Sequence, residues 1–171
     1  MVNTSAQRRI LASGSAAIAL MTASVFTLDT RILVWNATAS VPRGLYARSP
    51  GAPSKGDLAL AWLPAAVRAL AAERRYLPFR VPALKPVAAV AGDTVCASAD
   101  GISINGATVA TRPTTDHLGR DLPTWDGCKT LTSEQVFLLS TYAPDSFDGR
   151  YFGPTDTADV IEKVAPLWTL P

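Results

Sequence analysis

The sequence has few of the residues that build metal and redox sites. Its 171 residues include one histidine and two cysteines, and the cysteines form no CxxC pair. Metal sites are usually assembled from several such residues at short spacings. The sequence therefore predicts no metal site, and we expect no cofactor.

Charge is also scarce and nearly balanced. Lys and Arg number 16 against 14 Asp and Glu, the net charge is +2, and charged residues make up 18% of the chain. No basic stripe stands out, so we expect no nucleic-acid partner. The low charge and a positive mean hydropathy favour a membrane-associated protein over a freely soluble one. A chain of this length without internal repeats is expected to form a single domain with one hydrophobic core.

The N-terminal region has the pattern of a signal anchor. Arg8 and Arg9 precede residues 10–28, a stretch of 19 residues without a charged side chain. As a helix it would be roughly 28 Å long, close to the ~30 Å hydrocarbon core of a bilayer. Arginines on the N-terminal flank keep that end in the cytoplasm. We therefore predict a cytoplasmic tail and anchor in residues 1–31, in contact with membrane lipid through 10–28, and an exported domain in residues 32–171.

A cleaved signal peptide is the main alternative to an anchor. Residues 10–28 are only moderately apolar, being rich in Ala, Ser and Thr, and residues 37–39 read ATA, a small-residue site. Cleavage there would remove everything before Ser40. Both alternatives export the rest of the chain, which indicates the inner (cytoplasmic) membrane with the domain in the periplasm.

Export to an oxidising compartment affects the expected oxidation state of the two cysteines. In an oxidising compartment an isolated pair is more often bridged than free, which predicts a disulfide between Cys96 and Cys128. The alternative is a pair of unrelated buried thiols.

Beyond the anchor, the pattern is mainly that of short strands. Asp100-Gly101 and Asn105-Gly106 are hairpin signals. Apolar residues at helical spacing follow a proline and predict an amphipathic surface helix over residues 64–76. We predict a mainly β fold: one N-terminal transmembrane helix, then a mostly antiparallel β domain with one or two short helices. The predicted strands are residues 57–62, 86–90, 94–97, 102–104, 108–111 and 135–141, and residues 36–46, 112–127 and 145–154 are predicted as turns or loops.

Ser40 and Lys85 are the candidate catalytic residues. A serine is a poor nucleophile until a base removes its proton, and a lysine can be that base only when its amine is neutral. Lys85 has the most apolar sequence surroundings of any lysine in the chain, and burial among apolar groups lowers the pKa of a lysine. We expect Lys85 to be buried with its amine within hydrogen-bond reach of Ser40.

Each of these residues also has an ordinary interpretation. Lys85 could extend to solvent from a strand edge, and Ser40 could simply occupy a turn before proline. The only histidine, His117, lies in a polar stretch that reads as a solvent-facing loop. With His117 discounted, lysine is the one plausible base. Asp148 and Arg150 could pair within a charged turn.

Four short motifs carry a family resemblance. They are SVPRGLY at residues 40–46, KGDL at 55–58, VAGD at 90–93 and SFDGRYFGP at 146–154. In this order behind a signal anchor they resemble the signal peptidase I superfamily of Ser-Lys membrane peptidases, and most closely the conjugative-transfer peptidases of the TraF type. General signal peptidases carry a bulky residue such as methionine where this chain has Val41, which favours the conjugation branch.

The resemblance implies roles for five residues. Ser40 would be the acylated nucleophile, and Lys85 the general base and then the acid. Thr38 would donate to the oxyanion together with the Ser40 backbone N–H. Asp148, with Arg150, would organise the site.

The resemblance also implies a substrate. TraF-type enzymes are associated with maturing the conjugative pilin by removing a peptide and, in some systems, closing a ring. The expected function is therefore that of a membrane-anchored serine endopeptidase acting on a polypeptide, the pilin precursor or another exported preprotein. The alternatives are a general signal peptidase and a non-catalytic anchored scaffold of a conjugation machine. A soluble self-cleaving repressor is disfavoured, because this chain has a membrane span where a DNA-binding motif would be needed.

Overall fold

A computed structural model describes residues 33–99 and 101–170 of the protein. Within them, antiparallel strands account for most of the regular structure, which confirms the predicted mainly antiparallel β fold. The strands are β1 (Leu33–Asn36), β2 (Gly44–Arg48), β3 (Leu58–Ala61), β4 (Ala83–Ala89), β5 (Thr94–Ser98), β6 (Gly101–Ile104), β7 (Ala107–Ala110), β8 (Gly127–Thr130), β9 (Gln135–Leu138), β10 (Thr155–Asp156) and β11 (Val160–Thr169).

The strands form two sheets. The larger has seven strands in the order β1-β2-β11-β3-β4-β9-β10, and the smaller has four in the order β7-β6-β5-β8. The long strand β11 joins the β1–β2 hairpin to β3, pairing Ala165 with Ala47 and Val164 with Leu58. Since β3 pairs with β4, β11 connects the chain around Ser40 to the part of the sheet that carries Lys85.

The described helices are short. They are α1 (Ala65–Glu73), α2 (Gly149–Phe152) and a 3-10 turn (Thr157–Asp159). Helix α1 agrees with the helix predicted over residues 64–76. Its buried Ala71 packs with Leu63 and Ala83, so the amphipathic face covers the sheet beside β4.

Some elements of the structure differ from the sequence-based predictions, and one prediction concerns residues outside the described part of the chain. Strands β1, β2, β8, β10 and β11 were not predicted, and helix α2 falls inside residues 145–154, which were predicted as loop. None of the helices in the described residues has the length and apolar character to cross a bilayer. The predicted span at residues 10–28 lies outside the described residues.

The two sheets share an apolar core. Phe137 and Leu139, at and just beyond the end of β9, are buried together with Val95 and Ile102 of the smaller sheet. Non-directional burial of this kind is the main stabilising contribution to a fold. The core also determines the orientation of β9, whose C-terminal end leads directly into the polar residues of the site.

The predicted disulfide between Cys96 and Cys128 is present. The two cysteines face each other on adjacent strands β5 and β8, so the bond crosslinks the smaller sheet.

Replacing both cysteines with serine is expected to lower the free energy of unfolding by up to about 3–4 kcal/mol, because a closed loop with a sequence separation of 32 restricts the unfolded chain. Urea denaturation of the oxidised protein and the double variant measures this difference. Adding reductant should destabilise the oxidised protein and leave the double variant unchanged. Equal stability of oxidised and reduced wild-type protein would contradict the prediction.

Candidate active site

Ser40 lies in a tight turn, residues 37–43, between β1 and β2. The buried side chain of Asn36 organises this turn. Its Nδ2 donates to the carbonyl oxygens of Thr38, Val41 and Pro42 at 2.9, 3.1 and 3.1 Å. Val41, next to the serine, is fully buried. One amide therefore supplies the hydrogen bonds that this non-repetitive backbone lacks, and Ser40 is held on a well-supported turn.

Two further contacts hold the C-terminal side of the turn. The hydroxyl of Tyr46, itself fully buried, donates to the Pro42 carbonyl oxygen. Gly44, with φ of +155°, lies so close to β11 that a Cβ would come within 2.2 Å of the Trp168 carbonyl oxygen. A larger residue there would clash with backbone, so glycine allows β2 to pair with β11 immediately after the turn.

Lys85 has the burial and the contact that were expected. It lies on β4, its side chain is 6% exposed, and its Nζ is 2.7 Å from Ser40 Oγ. Burial lowers the pKa of the Lys85 amine to about 8, against an opposing attraction from Asp148. A minor fraction of the amine is therefore neutral near physiological pH and able to accept a proton, far more than for an unburied lysine.

Ser146 is a second hydroxyl on the lysine and was not predicted as a site residue. Its Oγ is 2.7 Å from Lys85 Nζ and 3.4 Å from Ser40 Oγ. Ser146 is buried, whereas Ser40 is half-buried. The two contacts fix the direction of the lysine amine. The sequence signal was the position of Ser146 at the start of the last motif, two residues before Asp148.

Asp148 and Arg150 form a buried ion pair behind the lysine. Arg150 Nε is 2.8 Å from Asp148 Oδ1, and both side chains are almost completely buried. Asp148 caps α2 by accepting from the Arg150 N–H. The guanidinium also donates to backbone carbonyls of Thr111, Pro144 and Ser140. The pair therefore ties three backbone segments together next to Ser146.

Replacing Asp148 with alanine is expected to lower the free energy of unfolding by about 3–5 kcal/mol, because Arg150 would remain buried without its counter-charge. Urea denaturation measures the loss. Glu162→Ala is a suitable control, since its partner Arg48 is substantially exposed and such pairs contribute about 0–1 kcal/mol. Similar losses in the two variants would contradict the prediction.

Thr38 and His117 are both exposed, and neither side chain contributes a hydrogen bond to Ser40 or Lys85 among the described residues. Thr38 is exposed, and its hydroxyl donates to Asn36 Oδ1 at 2.8 Å. His117 is exposed in the irregular segment before β8, and within the described residues no hydrogen bond joins it to Ser40 or Lys85. The neighbouring Asp116 accepts from Tyr76 and Arg120, which attaches this segment to the end of α1.

An aromatic cluster packs against the last motif, residues 146–154. Phe147 lies between Ser146 and Asp148 in sequence, and its ring is 5.0 Å from that of Tyr76 and 5.6 Å from that of Tyr151. Offset and tilted aromatic pairs at these distances are favourable. The cluster fixes the backbone that carries both polar side chains.

A serine hydroxyl that contacts a buried lysine amine on an antiparallel β scaffold is the arrangement of a serine–lysine dyad protein. The family model described as signal peptidase, peptidase S26, matches residues 7–168. This chain belongs to that family, in agreement with the resemblance carried by the four motifs.

Individual proteins are similar over most of the chain. A plasmid transfer protein TraF from Escherichia coli is 30% identical over 171 residues, covering 94% of this chain and 95% of the relative. A second TraF from Escherichia coli is 31% identical over 170 residues, covering 94% and 93%. A solved signal peptidase I from Enterococcus faecalis V583 covers 67% of this chain and 98% of its own, at 21% identity and a TM-score of 0.39. The chain is thus related to proteins named for plasmid transfer.

Proposed function

We propose that this protein is a serine endopeptidase that matures an exported polypeptide through a Ser40–Lys85 dyad. The observation that carries the proposal is the 2.7 Å contact between Lys85 Nζ and Ser40 Oγ in a setting where the lysine is buried. A lysine kept partly neutral by burial has the chemistry of a general base, and a serine at this distance is the group it can activate.

The proposed reaction has two stages. Ser40 Oγ attacks the scissile carbonyl carbon while its proton passes to Lys85 Nζ. The tetrahedral intermediate collapses, the C–N bond breaks, and the Lys85 ammonium returns the proton to the leaving amine. An acyl ester on Ser40 remains. In the second stage a water molecule, or an amino group of the substrate, attacks this ester while its proton passes to Lys85. The ester C–O bond then breaks, and the Lys85 ammonium returns the proton to Ser40 Oγ.

Ser146 and the remaining predicted site residues would support these steps. Ser146 would hold the Lys85 amine toward Ser40, and the Asp148–Arg150 pair would fix the backbone around both hydroxyls. The oxyanion would accept from the Ser40 N–H and the Thr38 hydroxyl. Because that hydroxyl donates to Asn36 in the free protein, it would have to rotate when substrate binds.

We further propose that the substrate is a conjugative pilin precursor. The similarity to two proteins named plasmid transfer protein TraF supports a role in conjugation over general export. Water attack on the acyl-enzyme would give a trimmed pilin, whereas attack by the pilin's own amino terminus would give a ring. A site that excludes water favours the second route.

The proposed location is the inner membrane, with residues 1–31 as cytoplasmic tail and anchor and residues 32–171 in the periplasm. An exposed apolar surface near the start of the domain supports this. Leu33, Trp35 and Trp168 are each more than half exposed, and the two indole rings stack at 6.2 Å. Tryptophan is enriched at membrane–water interfaces, and Leu33 follows the predicted span by only a few residues.

Intact mass spectrometry of co-expressed substrates tests the proposed function. The protein is produced with a candidate pilin precursor and, separately, with an unrelated exported preprotein. We expect only the pilin mass to fall, with a further loss of one water if the ring closes. The matched control is the same pair of experiments with Ser40→Ala.

The alternative outcomes separate the competing functions. Trimming of the unrelated preprotein would indicate a general signal peptidase. Unchanged masses for a panel of pilin precursors, with folded wild-type protein present, would indicate a non-catalytic scaffold.

A further inference from the structure

Ser140 is a fully buried serine whose hydrogen-bonding groups are all occupied. It follows β9 by two residues and is 0% exposed. Its hydroxyl donates to the backbone carbonyl oxygen of Ser40 and accepts from the Tyr142 N–H at 3.2 Å. Its own N–H donates to Asp148 Oδ2 at 2.9 Å, and its carbonyl accepts from Arg150 Nη2. Four contacts therefore meet at one residue.

These contacts connect the buried ion pair to the nucleophile. Within the described residues, no hydrogen bond runs directly from Asp148 or Arg150 to Ser40. Ser140 bridges them, because its backbone is held by both members of the pair and its side chain holds Ser40. The ion pair thereby acts on the nucleophile turn, which is separated from Ser140 by 100 residues in sequence.

Packing alone does not explain a serine at this position. A hydroxyl buried among apolar residues costs free energy unless it is hydrogen-bonded, and alanine would fill almost the same space. The adjacent Leu138 and Leu139 are buried as apolar residues normally are. The hydroxyl is therefore accounted for by its contact with the Ser40 carbonyl.

We propose that Ser140 is a positioning residue that holds Ser40 at its working distance from Lys85. Its bond to the Ser40 carbonyl fixes the rotation of the peptide that follows the nucleophile. Anchoring this peptide restrains the backbone at the Cα of Ser40, from which the side chain extends toward the lysine. This inference rests on the proposed peptidase function and adds a residue that acts through Ser40 without contacting the substrate.

Single-turnover processing by Ser140→Ala tests the inference. We expect a rate reduced roughly 10- to 100-fold, as small misplacements of reacting groups produce, with substrate affinity and the pH midpoint unchanged. A loss caused only by a loosened fold would also affect affinity. Ser140→Thr retains the hydroxyl and is expected to recover part of the rate.

Thr155→Val is the matched control. Thr155 lies in β10, which pairs with β9, is 1% exposed and has a buried hydroxyl without a hydrogen-bond partner among the described residues. This variant should process substrate at the wild-type rate. Wild-type rates in Ser140→Ala, alongside active wild-type protein, would overturn the positioning role and leave the proposed function intact.

A second measurement is independent of activity. In the ¹³C NMR spectrum, the Ser40 carbonyl resonance should shift upfield in Ser140→Ala and stay in place in Thr155→Val, because only the first loses the donor. An unchanged resonance in Ser140→Ala would overturn the proposed contact. If wild-type protein processes no substrate, the proposed function fails, and this measurement still tests the contact.

Discussion

Replacing Ser40 with alanine is expected to abolish processing, with a loss of at least about 10³-fold and up to about 10⁶-fold. The variant lacks the oxygen that forms the acyl ester, and Lys85 loses the half-buried hydroxyl 2.7 Å away that it would deprotonate. The substrate keeps its precursor mass in an intact-mass measurement. The fold should be retained, since a half-buried side chain loses a single oxygen.

Ser49→Ala is the matched control for this experiment. Ser49 follows β2, is half-buried like Ser40 and lies close to it in the chain, but takes no part in the dyad. It should process substrate normally. If Ser40→Ala stays active, the nucleophile is a different group. Ser146→Ala then decides whether the second hydroxyl on Lys85 serves instead.

Processing is expected to rise with pH and reach half of its maximum near pH 8. Only the neutral amine of Lys85 can accept the serine proton, and burial lowers its pKa to about 8. Below that value the rate should fall tenfold per pH unit, because the neutral fraction does. An unperturbed lysine, with a pKa of about 10.4, would place the midpoint above pH 10. The initial rate measured between pH 6 and 10 distinguishes the two.

The neighbouring charges predict how this midpoint moves. Asp148 and Asp145 attract the ammonium and raise the pKa of Lys85, while Arg150 opposes them. Asp145→Asn should therefore shift the midpoint slightly downward, the effect being small because Asp145 is exposed. Asp126→Asn, an exposed change on another segment, should leave the midpoint in place. An upward shift in Asp145→Asn would contradict the assignment of Lys85 as the titrating base.

Lys85→Met should be inactive and yet more stable than wild-type protein at pH 7. The folded-state pKa of Lys85 lies below its unfolded value, so the unfolded chain binds more protons between about pH 8 and 10. Stability contributed by this residue therefore rises with pH through that window, and at pH 7 the buried ammonium costs up to about 3 kcal/mol. Urea denaturation of both proteins at pH 7 measures the gain, and a destabilised variant would contradict it.

Local patterns in the sequence were sufficient for much of the fold. The Asn105-Gly106 pair predicted the β6–β7 hairpin, and both residues have positive φ values, 51° and 83°, as a tight hairpin turn requires. The periodicity of residues 64–76 predicted α1. The paired cysteines followed from export and from their isolation in the sequence. Each of these features depends on neighbours in the chain or on a single chemical property.

Strand β11 shows where such patterns fail. Residues Val160–Thr169 contain Pro166, include charged residues and have no regular alternation, and only one of the ten is buried. The strand forms because β2 and β3 are available on either side of it. Its pairing therefore depends on segments that are distant in the sequence, and local strand propensity does not predict it.

By itself, the sequence determined the chemistry that is available: a serine in a predicted turn, a lysine among apolar residues, and motifs that define the family. Only the tertiary structure decided how these groups meet. It placed Ser146 on the lysine, and it joined Ser140 to the Ser40 carbonyl across 100 residues. The physical reason is that burial and hydrogen bonding depend on position in space. The pKa of Lys85 and the direction of its amine therefore follow from packing between strands that are far apart in the chain.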